Sequence, residues 1–170
     1  LHLCDRRQRQ MCIRDSMKVN VKRLVFLFIT IFTMCMIFYF SSQNADTSSN
    51  TSSGFAEIMA KILYPGFEKL SEAKRTDIIN DCQFAVRKTA HFSIYGALGV
   101  FSCLTMNTYK NLKIWVRNAV SLGTCLCYSI LDELHQYFIP GRSCELRDVC
   151  IDFCGAAVGM LYLAGQAKLI

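Results

Sequence analysis

The apolar positions of this chain fall into four blocks separated by polar stretches. Leu24 to Phe40 is broken only by Thr30 and Thr33. At about 1.5 Å of rise per residue, a helix of that length just crosses a hydrocarbon core. The second block runs roughly from Val86 to Met106 and the third from Ile114 to Leu131. The fourth runs from Val149 to Ala164 and is interrupted by Asp152. Taken singly, the later blocks also suit buried helices of a soluble domain. Four of them behind a clean first run predict an all-α fold, a polytopic membrane helix bundle of about four transmembrane helices.

The stretches between blocks predict the rest. Ser41 to Gly54 is rich in Ser, Thr and Asn and reads as an exposed loop. Phe55, Ile58, Met59, Ile62 and Leu63 then recur at helical spacing, giving a short amphipathic helix in the first outer loop, stopped by Pro65-Gly66. It is too short to span and suits either the membrane surface or a cover over the bundle. A second amphipathic stretch, with Ile78, Ile79, Cys82 and Val86 on one side, runs into the second block. Phe138-Ile139-Pro140-Gly141-Arg142 reads as a turn, because Pro presets one backbone angle and Gly tolerates the next.

Composition agrees with the membrane reading. Hydrophobic residues make up 52% of the 170 positions, too many for an ordinary soluble domain of this size. The net charge of +6 suits anionic lipid as well as nucleic acid, but no basic-aromatic motif is present. The expected partner is therefore the lipid bilayer, and nucleic acid is set aside. The ten cysteines include no Cys-x-x-Cys pair, and most sit in apolar blocks, where Cys behaves as a small hydrophobe. Only Cys82 and Cys144 lie in polar segments and merit a test for a bridge.

The ends of the chain carry three further expectations. Residues 1–16 are polar, basic and without periodicity, and read as a non-native leader before Met17. The membrane domain is then 17–165, with a tail at 166–170. The first block is longer than the apolar core of a usual signal peptide, and Gln43-Asn44-Ala45 is a poor cleavage site, so it reads as a retained anchor. Lys18, Lys22 and Arg23 precede it and no Lys or Arg follows for twenty residues, which places both termini in the cytoplasm after four spans. The remaining basic residues divide almost evenly between the two sides, so this orientation rests on the first helix.

This topology gathers the polar residues of three blocks at one membrane face, the outer one. Lys88 and His91 open the second span, Asp132, Glu133, His135 and Gln136 close the third, and Arg142, Asp148 and Asp152 lead into the fourth. Lys88, His91, Tyr95 and Gly99 form one helical stripe. Asp132 and His135 continue another, and Asp148, Asp152, Gly155 and Gly159 form a third. Gly155 and Gly159 make a small-xxx-small pattern that permits close helix approach.

Each residue has a plain structural alternative. Lys88 can snorkel, Tyr95 can belong to an aromatic belt, and Asp132 and Glu133 can cap a loop. Asp152 is the exception: a carboxylate a turn inside an apolar block needs a partner, and Lys88, His91 and Arg142 are nearest. The catalytic candidates are His91, Asp132, Glu133, His135 and Asp152. The binding candidates are Lys88, His91, Tyr95, Gln136, Arg142, Asp148 and Asp152. Glu133-x-His135 and Asp148-xxx-Asp152 have spacings compatible with a metal, yet no metal ligands are assigned from the sequence and no cofactor is identified. Phosphate binding with acid–base catalysis on a lipid head group, and proton relay through Asp152, stay open beside it.

Phe40-Ser41-Ser42-Gln43 after the first span and Lys88-x-x-His91-Phe92-x-x-Tyr95-x-x-Leu98-Gly99 in the second resemble the VanZ-like family. So does the long run from Asp132-Glu133-x-His135-Gln136 through Pro140-Gly141-Arg142 to Asp148, Asp152, Gly155 and Gly159. The resemblance covers about Met17 to Leu163. It implies a bacterial multi-pass protein of the cell membrane, in a family whose founding member is associated with teicoplanin resistance. The leading expectation is an envelope protein modulating glycopeptide susceptibility through an outward polar pocket. The alternative is a membrane enzyme acting on a lipid-linked phosphate or envelope precursor. A third, minor option is an assembly module whose ions only lock the helices.

Overall fold

A computed structural model of the chain describes the backbone of residues 2–142 and 144–166, and the side chains within them from residue 20 onward except 45–51. The element order is α1 (His2–Ser41), α2 (Ala45–Leu63), a 3-10 turn at Phe67–Lys69, α3 (Glu72–Asn107), α4 (Ile114–Gln136) and α5 (Leu146–Gln166). Of the expected tail, Gln166 closes α5, and 167–170, with Lys168, lie outside the described residues. The side chains of the expected leader also lie outside them.

Four segments are long and apolar enough to cross a membrane: Asn20–Ser41, Glu72–Asn107, Ile114–Tyr137 and Leu146–Gln166. They contain the four blocks expected from the sequence, and the protein is an all-helical membrane bundle. Its large apolar side chains point outward as well as inward. Phe28 and Leu161 are each 70% exposed, which hydrocarbon chains favour and water does not.

The long α3 is the hub, touching α1, α2, α4 and α5, with its most extensive seam against α5. Ile37, Tyr95, Leu98, Cys125 and Ala156 form the buried core where the four long helices meet. Sparse polar ties add to it. Thr30 and Thr105 share a 3.1 Å hydrogen bond between α1 and α3, and the Tyr128 hydroxyl donates to the Met34 carbonyl at 2.5 Å. At the opposite end from the ionic residues, the Arg23 guanidinium lies 4.1 Å from the centre of the Tyr109 ring. Interhelical hydrogen bonds of this kind contribute about 0.5–2 kcal/mol each in a bilayer.

The α3–α5 seam is backbone against backbone. A Cβ on Gly159 would run into the carbonyl oxygen of Gly96, and one on Gly155 into that of Phe92. The small-xxx-small reading of the fourth block therefore corresponds to real contact.

One expectation is corrected. The Ser/Thr-rich stretch is not a loop up to Gly54, because only a turn at residues 42–44 separates α1 from α2, and α2 is already helical at Ala45. Ser, Thr and Asn cost only a few tenths of a kcal/mol each in a helix, less than packing returns. That packing uses Ala56 and Ala60, both at 0% exposure, against Phe67 and Cys82. The small residues let α2 approach α3 closely, and the large Phe55, Ile58, Ile62 and Leu63 are left exposed. Cys82 is a packed thiol in this cluster and Cys144 is exposed; both are free, with no bridge between them.

Candidate functional site

The ionic residues occupy one end of the bundle. Ser41 ends α1, Lys88 and His91 lie in α3, Asp132, Glu133 and Gln136 end α4, and Asp148 and Asp152 begin α5. The turn between α4 and α5 supplies Arg142. Its Pro140-Gly141 centre has the expected form: Gly141 sits at φ +78°, and the Arg142 amide donates to the Ile139 carbonyl at 3.2 Å. Gly141→Ala should cost about 1–2 kcal/mol from left-handed backbone strain, read as a lowered unfolding midpoint in detergent.

Two ion pairs cross from α3 to α5. Lys88 pairs with Asp148. One turn deeper, His91 Nδ1 lies 3.6 Å from Asp152 Oδ1, and Asp152 is only 1% exposed. The partner that Asp152 required is thus His91 rather than Lys88 or Arg142. Its other oxygen accepts from the Ser129 hydroxyl at 3.2 Å.

Asp132 is buried beside this pair. Its Oδ2 accepts from Ser41 Oγ at 2.8 Å and from Gln136 Nε2 at 3.1 Å. Gln136 Oε1 in turn accepts from Arg142 Nη1 at 3.0 Å. A chain of hydrogen bonds therefore links the loop guanidinium through an amide to a buried carboxylate. Glu133 Oε2 accepts from the Glu145 backbone amide at 3.2 Å, which ties the α4 end to the start of α5.

These groups border a cavity of about 470 Å³. Arg87, Lys88, His91, Glu133, Arg142 and Asp152 are on its polar side, and Ile37, Phe40, Phe55 and Phe84 on its apolar side. Among the described residues no carboxylate lies within ion-pair distance of Arg87 or Arg142. Burial first, then the Arg87 guanidinium, pulls the Arg142 side chain below its ordinary pKa, while Asp132 and Glu133 pull the other way. A cation held against burial and like charge favours the arrival of an anion.

Of the binding and catalytic candidates, Lys88, His91, Glu133, Gln136, Arg142, Asp148 and Asp152 line this cavity. Asp132 lies beneath it. Tyr95 is fully buried below, its ring 6.4 Å from that of Tyr128, and does not line the cavity. His135 turns away, with its ring 4.6 Å from that of Phe38 on α1. Ser41, Ser129 and Arg87 were not among the candidates. Ser41 and Arg87 stand at the same ends as the candidates, which is the signal that marks them. Ser129, inside an apolar block, carries none.

A bundle of membrane-length helices with its ionic residues gathered at a common end is an integral membrane protein. The family model described as VanZ/LLP1 matches residues 26–165, and the chain belongs to that family. The match covers α3 and α4 whole, most of the first and fourth candidate spans, and every residue of the cluster. No curated protein and no solved structure matches the chain.

Proposed function

We propose that this is an envelope protein of the bacterial cytoplasmic membrane whose cavity receives the anionic head group of a lipid-linked envelope precursor. Through it the protein modulates the cell surface, including teicoplanin-type glycopeptide susceptibility. One observation carries this reading: the polar cavity runs into an apolar groove. Phe55, Val86 and Ala90 border both, and Ile58, Ile62 and Leu63 continue the groove between α2 and α3. An amphiphile matches that sequence of environments, with a charged head beside Arg87, Lys88 and Arg142 and a chain along α2. A whole glycosylated peptide is bulky for the space, so susceptibility would change through the precursor rather than by direct capture of the drug.

In this reading both termini are cytoplasmic and the cavity opens at the outer face. Cys144 is exposed on the loop beside it. A variant with Cys144 as its sole cysteine should react in intact cells with a membrane-impermeant maleimide; labelling only after lysis reverses the orientation.

For the ligand, purified protein in phosphatidylcholine nanodiscs should retain a polyprenyl phosphate over the matching neutral alcohol. The double substitution Arg87→Ala and Arg142→Ala should cut that retention at least tenfold. Equal retention of phosphate and alcohol removes the reading. A deletion strain with unchanged envelope composition and unchanged response across an antibiotic panel would count against the cellular role.

A second reading, a membrane enzyme acting on the same lipid phosphate, is favoured by the His91–Asp152 pair. A histidine on the cavity wall with a buried carboxylate behind it can accept and return a proton. Turnover of the retained lipid by wild type and none by His91→Gln is the expected result; intact lipid after prolonged incubation with wild type excludes catalysis.

A further inference from the structure

Two of the buried carboxylates are short of positive charge. Asp132 is 3% exposed and Asp152 1%, and among the described residues only Asp152 of the two has a basic group within ion-pair distance. Lys88 pairs with Asp148, and Arg142 bonds Gln136 rather than a carboxylate. His91 stands beside both acids, and it is within ion-pair distance only of Asp152. An uncompensated carboxylate at such depth is costly, by several kcal/mol in a low-dielectric setting.

The three residues also converge. One ligand atom each from His91, Asp132 and Asp152 lies within 4.8 Å of the others, and they come from three different helices. Metal bonds of about 2.0–2.2 Å place neighbouring ligand atoms roughly 3–4 Å apart, so small side-chain rotations close the set. A separate observation concerns one of the three side chains. Asp132 Oδ1 is fully buried and has no hydrogen-bond partner, although Oδ2 of the same carboxylate has two. Buried native groups are rarely left so. The Tyr95 hydroxyl, at 0% exposure, lies beside the same groups, within reach of Ser129 and within electrostatic reach of Asp132 and Asp152.

We propose that His91, Asp132 and Asp152 form a binding site for a single divalent cation at the floor of the cavity. Two carboxylates and one imidazole balance a +2 ion and suit a metal of hard to borderline character such as Mn²⁺. Ser41 and Gln136 orient Asp132 from behind, and Ser129 orients Asp152, as supporting hydrogen bonds do in metal sites. His91 and Asp152 border the cavity, so the open coordination positions face it. The site stands whether or not the cavity takes a lipid, because the ion alone is the probe.

The test uses full-length, tag-free protein, stripped with chelator and placed in phosphatidylcholine nanodiscs. Mn²⁺ is titrated in, and free ion is followed by its electron paramagnetic resonance signal. One ion per chain is expected, with affinity lowered at least tenfold by Asp132→Asn and by Asp152→Asn and unchanged by Lys113→Ala at the far end of the bundle. Bound Mn²⁺ in the wild type should also show nitrogen coupling from one imidazole, lost in His91→Gln. That spectrum decides the matter even if an aspartate variant fails to fold. No stoichiometric binding by the folded wild type, binding indifferent to both aspartate substitutions, or a bound ion without nitrogen coupling would each overturn the proposal.

Discussion

Gly159→Leu abolishes the folded bundle. The substituted Cβ meets the Gly96 carbonyl, a backbone atom that cannot rotate aside, so α5 must move as a body away from α3. Overpacking against side chains costs about 1–3 kcal/mol, and a backbone obstacle lies at or above the top of that range. α3 against α5 is the most extensive seam in the molecule, so little remains to hold the ionic end together once it opens. The measurement is the fraction of monodisperse protein after detergent extraction, with the thermal midpoint of whatever survives. Gly123→Leu serves as the comparison, because nothing lies within 4 Å of a Cβ there, and its midpoint should stay near that of wild type.

Asp132 separates stability from function. Asp132→Asn keeps an oxygen to accept from Ser41 and Gln136, and it removes a buried negative charge that has no basic group within ion-pair distance among the described residues. In chelator its unfolding midpoint should equal or exceed that of wild type, while complementation of a deletion strain fails. Asp132→Leu keeps the volume but strips the acceptor from two buried donors, at about 1–3 kcal/mol for each group left unpaired. It should therefore unfold well below both. If Asp132→Asn complements fully, the carboxylate is only part of a structural lock. If it unfolds as early as Asp132→Leu, the charge itself holds the helices.

Much of this site was legible because topology alone decides which helix ends share a face. Once four crossings were counted, Lys88, His91, Asp132, Gln136, Asp148 and Asp152 had to gather at one end. Asp152 was also legible as a residue in need of a partner. The identity of that partner was not, because Asp148 and Asp152 share a stripe one turn apart. Whether Lys88 meets one or the other depends on how far α3 is shifted along α5, which the glycine contacts set.

Tyr95 and His135 belong to the right stripes and yet leave the cavity. A stripe is wider than a cavity, so Tyr95 ends beneath it and His135 faces α1. The helical state of residues 45–54 was hidden for a different reason. Local composition favoured a loop, and the decisive contacts came from Ala56 and Ala60, whose small size gives them little weight beside Phe55 and Ile58. The extent of α2 was settled by how near α3 it could lie.

The two walls of the cavity are unequal in stiffness. On one side α3 and α5 touch through main-chain atoms, leaving no layer of side chains to compress. On the other, α2 rests on α3 and the Phe67 turn, joined to α1 by a three-residue turn, with its bulky face exposed. The α2 side is therefore the softer wall, where the thickness and lateral pressure of a surrounding bilayer would act directly. The membrane is then part of the door as well as the surroundings of the room.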